Sequence, residues 1–254
     1  MNDMNHIFLS PHLDDAILSC GGMIYQLAQS GQPVQVVTIF TGDPPACPLS
    51  PFAQSLHDRW GAAPVNRRDE DVEALRLLGA EAIRWPYSDA VYRCAPDTDR
   101  PLYASEESIF GEVSAADATV IAAIADRLSR IDLSKQLYVP LAAGHHVDHQ
   151  VVRAAAESLG RVLIYYEDYP YAETPEKLDA ALRDRPWVPE IFRLSDEAIR
   201  MKAKAINAYR SQISTFFKDE AEVEQRIRAY ASLVGGQAGA SERVWRLPYV
   251  SRML

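Results

Sequence analysis

The feature that most constrains the fold is a regular alternation of short apolar runs with helix-patterned segments. Residues 7–9 have the composition of a buried strand, residues 16–31 repeat apolar side chains at helical spacing, and residues 33–42 form a β-branched run typical of a second strand. Similar pairs of helix and strand follow at 67–85, 116–141 and 145–168. This alternation predicts an α/β fold with a Rossmann-like, mostly parallel sheet that carries helices on both faces.

The alternation of strand and helix patterns ends at about Tyr169. A proline-rich stretch is followed by a β-branched and aromatic run at 187–194 and by helix patterns at 195–213 and 220–234, and the glycines of 235–239 indicate a mobile loop. We interpret this part as a C-terminal extension with helices and an added strand. A chain of 254 residues without internal repeats or a low-complexity linker is predicted to form a single domain spanning 1–254.

Composition excludes several classes of partner. A formal net charge of −9 disfavours nucleic acid and anionic membranes, which need a basic surface. The three cysteines (Cys20, Cys47 and Cys94) are widely spaced and lack a CxxC pattern, so neither a disulfide framework nor a thiolate zinc site is indicated. No apolar stretch is long enough to span a bilayer, and the N-terminus does not resemble a signal peptide. We expect a cytoplasmic protein with a small-molecule ligand; the oligomeric state is not indicated.

Two charged clusters follow two of the predicted strands. In open α/β sheets, ligands bind beyond the carboxyl ends of the strands, so the two clusters are expected to share one cleft. A lone aspartate before a helix is usually a cap, and a lone histidine is usually a surface or core residue. Two such clusters in equivalent positions instead favour a metal site. The first cluster is His12, Asp14 and Asp15, and the second is His145, His146, Asp148 and His149.

The residue types suit a catalytic zinc site. Imidazole nitrogen and carboxylate oxygen both bind zinc, and three protein ligands leave a position for water. A nearby carboxylate that is not a ligand can take a proton from that water. Asp14 and Asp15 suit these two roles, but spacing alone does not say which of them is the ligand and which is the base. The assignment of His145 and His146 is also ambiguous, because both lie within a helical turn of His149. These ligand types accept Fe²⁺, Co²⁺ or Ni²⁺ as well as Zn²⁺.

The two clusters resemble the paired motifs of the PIG-L/LmbE family of zinc-dependent N-deacetylases. The motif PHxDD corresponds to residues 11–15, and HxDH corresponds to residues 146–149. The arginine-bearing segment 67–80 and the segment 204–212 also resemble helices of the family. The similarity covers most of residues 6–215 and implies that the chain is a metal-dependent N-deacetylase.

The resemblance also implies a role for each motif residue. Asp14 would be the general base, and His146 would stabilise the oxyanion or protonate the leaving amine. Asp148 would hold the His146 imidazole charged and oriented, and His145 is left with a structural or rim role. One zinc ion per chain would be bound by His12, Asp15 and His149.

The expected substrate is an N-acetylated sugar or sugar conjugate similar to N-acetylglucosamine. Ala16 and Leu13 depart from the glutamate and proline that are common in the family motif, which advises against assigning its best-known substrates. The alternatives are a metal-dependent hydrolase of another amide or ester in secondary metabolism, and a non-catalytic carbohydrate-binding protein with the same fold.

Three further residues are predicted to contact the substrate. Arg67 and Arg68 precede a helix near the cleft, and guanidinium groups suit recognition of hydroxyl or phosphate groups. The segment 165–172 follows a strand and is expected to present Tyr166, Glu167 or Asp168 to the cleft; we favour Tyr166, because an aromatic face beside polar groups can bind a sugar. The segments 43–64 and 86–116 are long and irregular and contain no motif that identifies a ligand.

Overall fold

A seven-stranded sheet forms the centre of the computed structural model, which describes residues 5–46, 48–60, 64–96 and 98–248. Cys47 therefore lies outside the described residues. The strands are β1 (His6–Ser10), β2 (Val34–Thr38), β3 (Glu81–Arg84), β4 (Gln136–Pro140), β5 (Ile164–Tyr166), β6 (Val188–Arg193) and β7 (Ser241–Arg246). Their order across the sheet is β3-β2-β1-β4-β5-β7-β6.

The sheet has a parallel part and an antiparallel part. The first five strands are parallel, as the alternation predicts, whereas β7 lies between β5 and β6 and is antiparallel to both. The added strand expected at 187–194 is present as β6. Strand β7 was not predicted, because half of its six residues are charged and it does not read as an apolar run.

Ten α-helices accompany the sheet within the described residues, and they include the helices predicted both in the alternating part of the chain and in the C-terminal extension. The predicted loop 43–64 contains a helix of its own, α2, and the proline-rich stretch contains α7. The helices are α1 (Asp15–Gln29), α2 (Pro51–Trp60), α3 (Pro64–Leu78), α4 (Glu106–Ile109), α5 (Ala118–Leu128), α6 (Val147–Glu157), α7 (Pro175–Leu182), α8 (Asp196–Ala208), α9 (Ile213–Phe216) and α10 (Glu220–Gly235).

Helices cover both faces of the sheet, which confirms the predicted architecture. Successive strand residues point to opposite faces, so Phe8 packs with α1, α3 and α8, whereas its neighbours Ile7 and Leu9 pack with α5 and α6. Both faces of the parallel strands are therefore buried, as expected for a parallel sheet between helices. None of the helices within the described residues is long and apolar enough to cross a membrane.

The strand register places three connections at one edge of the sheet. β1 pairs with β4, and β4 pairs with β5, all in parallel, so their carboxyl ends lie side by side. The chain segments that follow are 11–14, 141–146 and 167–170. These segments position the charged residues described next.

Candidate metal centre

In the turn from β1 into α1, the side chain of one of the two adjacent aspartates does not cap the helix. Ser10 accepts a hydrogen bond from the Ala16 backbone N–H (3.0 Å), and Asp15 Oδ2 accepts from the His12 backbone N–H (2.7 Å). Asp14 occupies the N-cap position but makes no side-chain capping bond. Capping therefore does not account for Asp14, although an aspartate at this position usually serves as a cap.

The turn from β4 into α6 is held in an unusual backbone conformation. Ala142 (φ 62°) and His145 (φ 65°) lie in the left-handed region, where residues with a side chain are uncommon. Gly144 (φ 93°) lies so close to Tyr171 that a Cβ would be 2.6 Å from the ring. This conformation starts α6 directly after His146 and places His149 in the first turn of the helix.

Three side chains from these turns converge on one point. Asp15 Oδ2 lies 3.1 Å from His12 Nδ1 and 3.3 Å from His149 Nε2. One potential ligand atom from each residue lies within 4.8 Å of the other two. The structure thus brings together the three residues that the motif resemblance predicts as metal ligands.

The donor set fits a zinc ion. His149 Nε2 is buried and has no hydrogen-bond partner within the described residues. His149 Nδ1 faces Asp168 Oδ1 at 2.7 Å, and His12 Nε2 faces Asp148 Oδ2 at 2.9 Å. With a metal ion at the centre and both imidazoles neutral, each ring would carry its proton on the nitrogen that faces Asp168 or Asp148 and would offer the lone pair of its other nitrogen to the ion. Carboxylates commonly orient metal-binding histidines in this way.

Electrostatics also favour a cation at this point. Burial by itself would raise the pKa of Asp15, but His149 and His12 hold it well below its usual range. Burial would lower the pKa of His149, but Asp15 and Asp168 raise it to about 10. The carboxylates thus stabilise positive charge at the cluster. A bound divalent cation would supply that charge in place of the extra protons on the imidazoles.

Asp14 is buried beside this cluster and has the properties of a base. Burial, and then the charge of Asp15, raise the pKa of Asp14 to about 6, although Arg67 and His12 oppose the shift. A carboxylate whose pKa lies near neutrality accepts a proton more readily than an ordinary aspartate.

His146 lies on the other side of the cluster as a neutral imidazole. Burial, and then the charge of His12, lower its pKa to about 3. Its Nδ1 accepts the backbone N–H of Asp148 at 3.2 Å, so the ring proton is on Nε2. Its ring centroid is 5.0 Å from that of His12 and 5.3 Å from that of His149.

Within the described residues, the Asp148 carboxylate makes no hydrogen bond to the His146 ring, so the structure does not support the predicted role of Asp148. Its Oδ1 accepts from Arg93 (2.6 Å), and Oδ2 lies 2.9 Å from His12 Nε2 and accepts from the Ala90 backbone N–H (3.0 Å). The Asp148 carboxylate lies near both imidazoles, but its hydrogen bonds go to Arg93, the Ala90 backbone and His12.

Arg67 and Arg68 line a pocket that adjoins the cluster. Its wall also includes Leu13 and Asp89, and Asp89 Oδ2 lies 3.5 Å from His12 Nε2. Arg68 donates to the Thr41 carbonyl (2.7 Å) and to Asp43 (2.6 Å). Asp89, which sequence analysis did not single out, thus lies between the arginines and the cluster.

Tyr166 does not line the cleft, contrary to prediction. Its side chain is fully buried in β5, and its hydroxyl donates to the Leu9 carbonyl at 2.7 Å. Asp168, two residues later, is the member of this segment that reaches the cluster. Aromatic rings from other segments do lie at the cluster: the Tyr171 centroid is 6.1 Å from that of His149, and the Phe40 centroid is 6.1 Å from that of His12. A Tyr–Tyr–Glu–Asp sequence at a strand end does not reveal which side chain faces the cleft.

A larger cavity, of about 670 Å³, lies elsewhere, between α6 and α7. His145 lies on its rim and is exposed, and its Nδ1 is 3.3 Å from the Phe110 carbonyl oxygen. None of the three predicted ligands lines this cavity. The structural or rim role expected for His145 stays a prediction.

An open α/β sheet with a histidine–carboxylate cluster beyond its carboxyl edge defines the class as a Rossmann-like protein with a site that could hold a metal ion. The model of the family described as PIG-L, GlcNAc-PI de-N-acetylase, matches residues 7–159. The chain belongs to this family, which confirms the resemblance inferred from the two motifs.

Relatives of known activity extend the similarity beyond the matched region. A 2'-N-acetylparomamine deacetylase from Streptomyces fradiae is 32% identical over 94% of this chain and 88% of its own. A protein with the same description from Niallia circulans is 27% identical over 86% and 84%. The crystal structure of the zinc-inhibited form of teicoplanin deacetylase Orf2 superposes with a TM-score of 0.82, at 29% identity over 96% of this chain and 97% of that one.

Proposed function

We propose that this protein is a zinc-dependent hydrolase that removes acetyl from an N-acetylated sugar or sugar conjugate. The observation that carries the proposal is the placement of a buried base, Asp14, and a neutral imidazole, His146, beside the three ligand atoms of His12, Asp15 and His149. We further propose that residues 1–254 act as one domain, since the site and the C-terminal strands share one sheet.

Each residue has a task in amide hydrolysis. A zinc ion held by the three ligands would supply Lewis-acid chemistry, polarising a carbonyl oxygen and lowering the pKa of water. Asp14 takes the proton from the attacking water. His146 donates from Nε2 to the oxygen that becomes negatively charged in the tetrahedral intermediate, because its Nδ1 is occupied by the α6 backbone. The proton held by Asp14 then passes to the departing amine.

The adjoining pocket suits a sugar. Asp89 accepts hydrogen bonds from hydroxyl groups, and Arg67 and Arg68 donate them, so the pocket wall offers both kinds of partner within reach of the cluster. The relatives named as paromamine and teicoplanin deacetylases support an amino-sugar glycoside as substrate class.

The two alternatives differ in what they leave unexplained. Hydrolysis of another amide or ester would use the same metal centre but does not account for the polar pocket beside it. A non-catalytic carbohydrate-binding protein has no evident use for a buried Asp14, since burial of a carboxylate lowers stability and is retained where it serves chemistry.

The test compares wild type with Asp14→Asn. Metal content is measured by inductively coupled plasma mass spectrometry, and acetate release is measured with 2'-N-acetylparomamine, N-acetylglucosamine and an acetate ester. We expect about one zinc per chain in both proteins, and we expect kcat to fall by a factor of about 10²–10⁴ in the variant because the general base is lost.

Three results would contradict the proposal. Wild-type turnover in the Asp14→Asn variant would show that Asp14 is not the base. Acetate release from the ester but from neither sugar would favour the alternative hydrolase, and zinc binding without turnover of any of the substrates would favour the binding protein.

A further inference from the structure

Arg93 is buried within the irregular segment 86–117, whose sequence contains no recognisable motif. Arg93 is 7% exposed, and its guanidinium group lies between the buried carboxylates of Asp148 and Asp117, which come from different parts of the chain. Nη1 donates to Asp148 Oδ1 at 2.6 Å, and Nη2 donates to Asp117 Oδ2 at 3.0 Å. The fork of an arginine can bind two acceptors in fixed directions at once.

Asp148 connects Arg93 to the metal centre. Its Oδ1 is bound by Arg93, while its Oδ2 accepts from His12 Nε2 and from the Ala90 backbone N–H. Both oxygens are engaged, so the plane of the carboxylate is fixed, and with it the direction in which His12 presents Nδ1 to Asp15. His12 is the only one of the three predicted ligands whose carboxylate partner depends on an arginine, within the described residues.

The far end of this network is also held in place. Asp117, just before α5, accepts from the Tyr103 hydroxyl at 2.6 Å, and that hydroxyl accepts from the Ser114 backbone N–H at 2.8 Å. The Arg93 guanidinium lies 5.2 Å from the centre of the Phe40 ring. Arg93 is thus enclosed by rigid partners and does not swing freely.

The same contacts fix the wall of the substrate pocket. Arg93 Nη1 also donates to the Ser88 carbonyl (3.1 Å), and Ala90 binds Asp148, so the residue between them, Asp89, is held on both sides. Asp89 lines the pocket next to His12. One buried arginine therefore supports both a predicted ligand and a pocket residue.

We infer that Arg93 is a positioning residue for the metal centre, which orients His12 through the Asp148 carboxylate and is itself oriented by Asp117. This inference rests on the proposed metal site. It assigns a function to the segment 86–117: the segment completes the support of the site from outside the two motifs. Lysine would not replace Arg93, because a single ammonium group does not span both carboxylates in a fixed plane.

The experiment measures zinc affinity by competition with a chromophoric chelator. It compares wild type with Arg93→Met, Arg93→Lys and Asp117→Asn. Lys202→Met is the matched control, because Lys202 is also a buried cation paired with a buried carboxylate, Glu242 (2.8 Å), but lies on α8 and does not contact His12. The melting temperature of each chelator-treated protein reports stability separately, and the visible spectrum of the cobalt-loaded forms reports ligand geometry.

We expect a graded loss of zinc affinity. Arg93→Met should weaken zinc binding about 10- to 100-fold and Arg93→Lys about 10-fold, as found when partners of metal ligands are removed. Asp117→Asn should have a smaller effect, since Asp148 keeps its arginine. Lys202→Met should lower the melting temperature but leave zinc affinity and the cobalt spectrum close to wild type. Arg93→Lys keeps the charge and carries the test if Arg93→Met does not fold.

The outcomes separate this inference from the proposed function. If wild type binds zinc and both Arg93 variants bind it with wild-type affinity, the positioning role is wrong and the proposed function stands. Equal weakening by Lys202→Met would also overturn it, because the loss would then follow stability alone. A wild-type protein that binds no zinc overturns both.

Discussion

The two histidines on either side of Asp15 are held by different kinds of partner. His149 is oriented by Asp168, whose second oxygen accepts the backbone N–H of Ala143 at 2.8 Å. His12 is oriented by Asp148, whose second oxygen is bound by the side chain of Arg93. We refer to His149 with Asp168 as the backbone-held arm, and to His12 with Asp148 and Arg93 as the arginine-held arm.

The difference shows what each arm depends on. The backbone-held arm is built from the ends of the adjacent strands β4 and β5, so it forms once the sheet forms. The arginine-held arm also requires the segment 86–117 to fold against α6. Each arm therefore needs one residue outside the two motifs: Asp168 for the backbone-held arm and Arg93 for the arginine-held arm.

The largest expected effect removes a ligand from each arm in turn. His149→Ala and His12→Ala should each reduce zinc content from about one ion per chain to near zero, because a three-ligand site retains too few donors. Metal analysis of the purified variants checks this. Full zinc content in either variant would exclude that histidine as a ligand, and His145→Ala serves as a control that should keep its zinc.

A smaller effect distinguishes the arms through their carboxylates. Asp168→Asn and Asp148→Asn should each weaken zinc binding about 10- to 100-fold. Asp148→Asn should in addition raise KM for the sugar substrate, because it weakens the support of Asp89 beside the pocket. Steady-state kinetics at saturating zinc check this. Equal KM values in the two variants would mean that the arms do not differ in their support of the pocket.

A still smaller effect tests the corrected position of Tyr166. Tyr166→Phe should lower the free energy of unfolding by about 1–2 kcal/mol, because the buried Leu9 carbonyl loses its hydrogen-bond donor. Because Tyr166 lies in the strand beneath the backbone-held arm and not in the cleft, KM should not change. Denaturant unfolding and steady-state kinetics check both parts. A large rise in KM with unchanged stability would restore Tyr166 as a substrate contact.

The smallest expected effect concerns Glu157, which belongs to neither arm and serves as a reference. Burial would raise the pKa of Glu157, but Arg185 and Arg153 hold it below its ordinary value. Because the pKa of Glu157 is lower in the folded state, its ionised carboxylate stabilises the protein at pH values above its unfolded-state pKa of about 4.5. This stabilisation is lost as the pH falls through the folded-state pKa. Glu157→Gln should therefore cost about 1 kcal/mol at neutral pH and nothing in strong acid, as unfolding at several pH values can show. Zinc affinity should not change; a loss of zinc would mean that α6 transmits strain to the site.

Some of this site could be predicted from local sequence. The strand and helix periodicities place residues 11–15 and 146–149 at one edge of a parallel sheet, because carboxyl ends of parallel strands lie together. The convergence of His12, Asp15 and His149 follows from that placement and from the family resemblance. Asp14 is likewise identified by its motif position, and its burial agrees with the role of a base.

The sequence by itself determined the parallel α/β core and which residues lie at its carboxyl edge, since these depend on local periodicity. Only the tertiary structure decided that Asp148 bonds to the ring of His12, that Tyr166 is buried while Asp168 reaches the site, and that β7 inserts antiparallel between β5 and β6. It also brought Arg93 to Asp148, which lies 55 residues further along the chain. Such pairings depend on which side chains fill the space between packed elements, and spacing along the chain does not specify that.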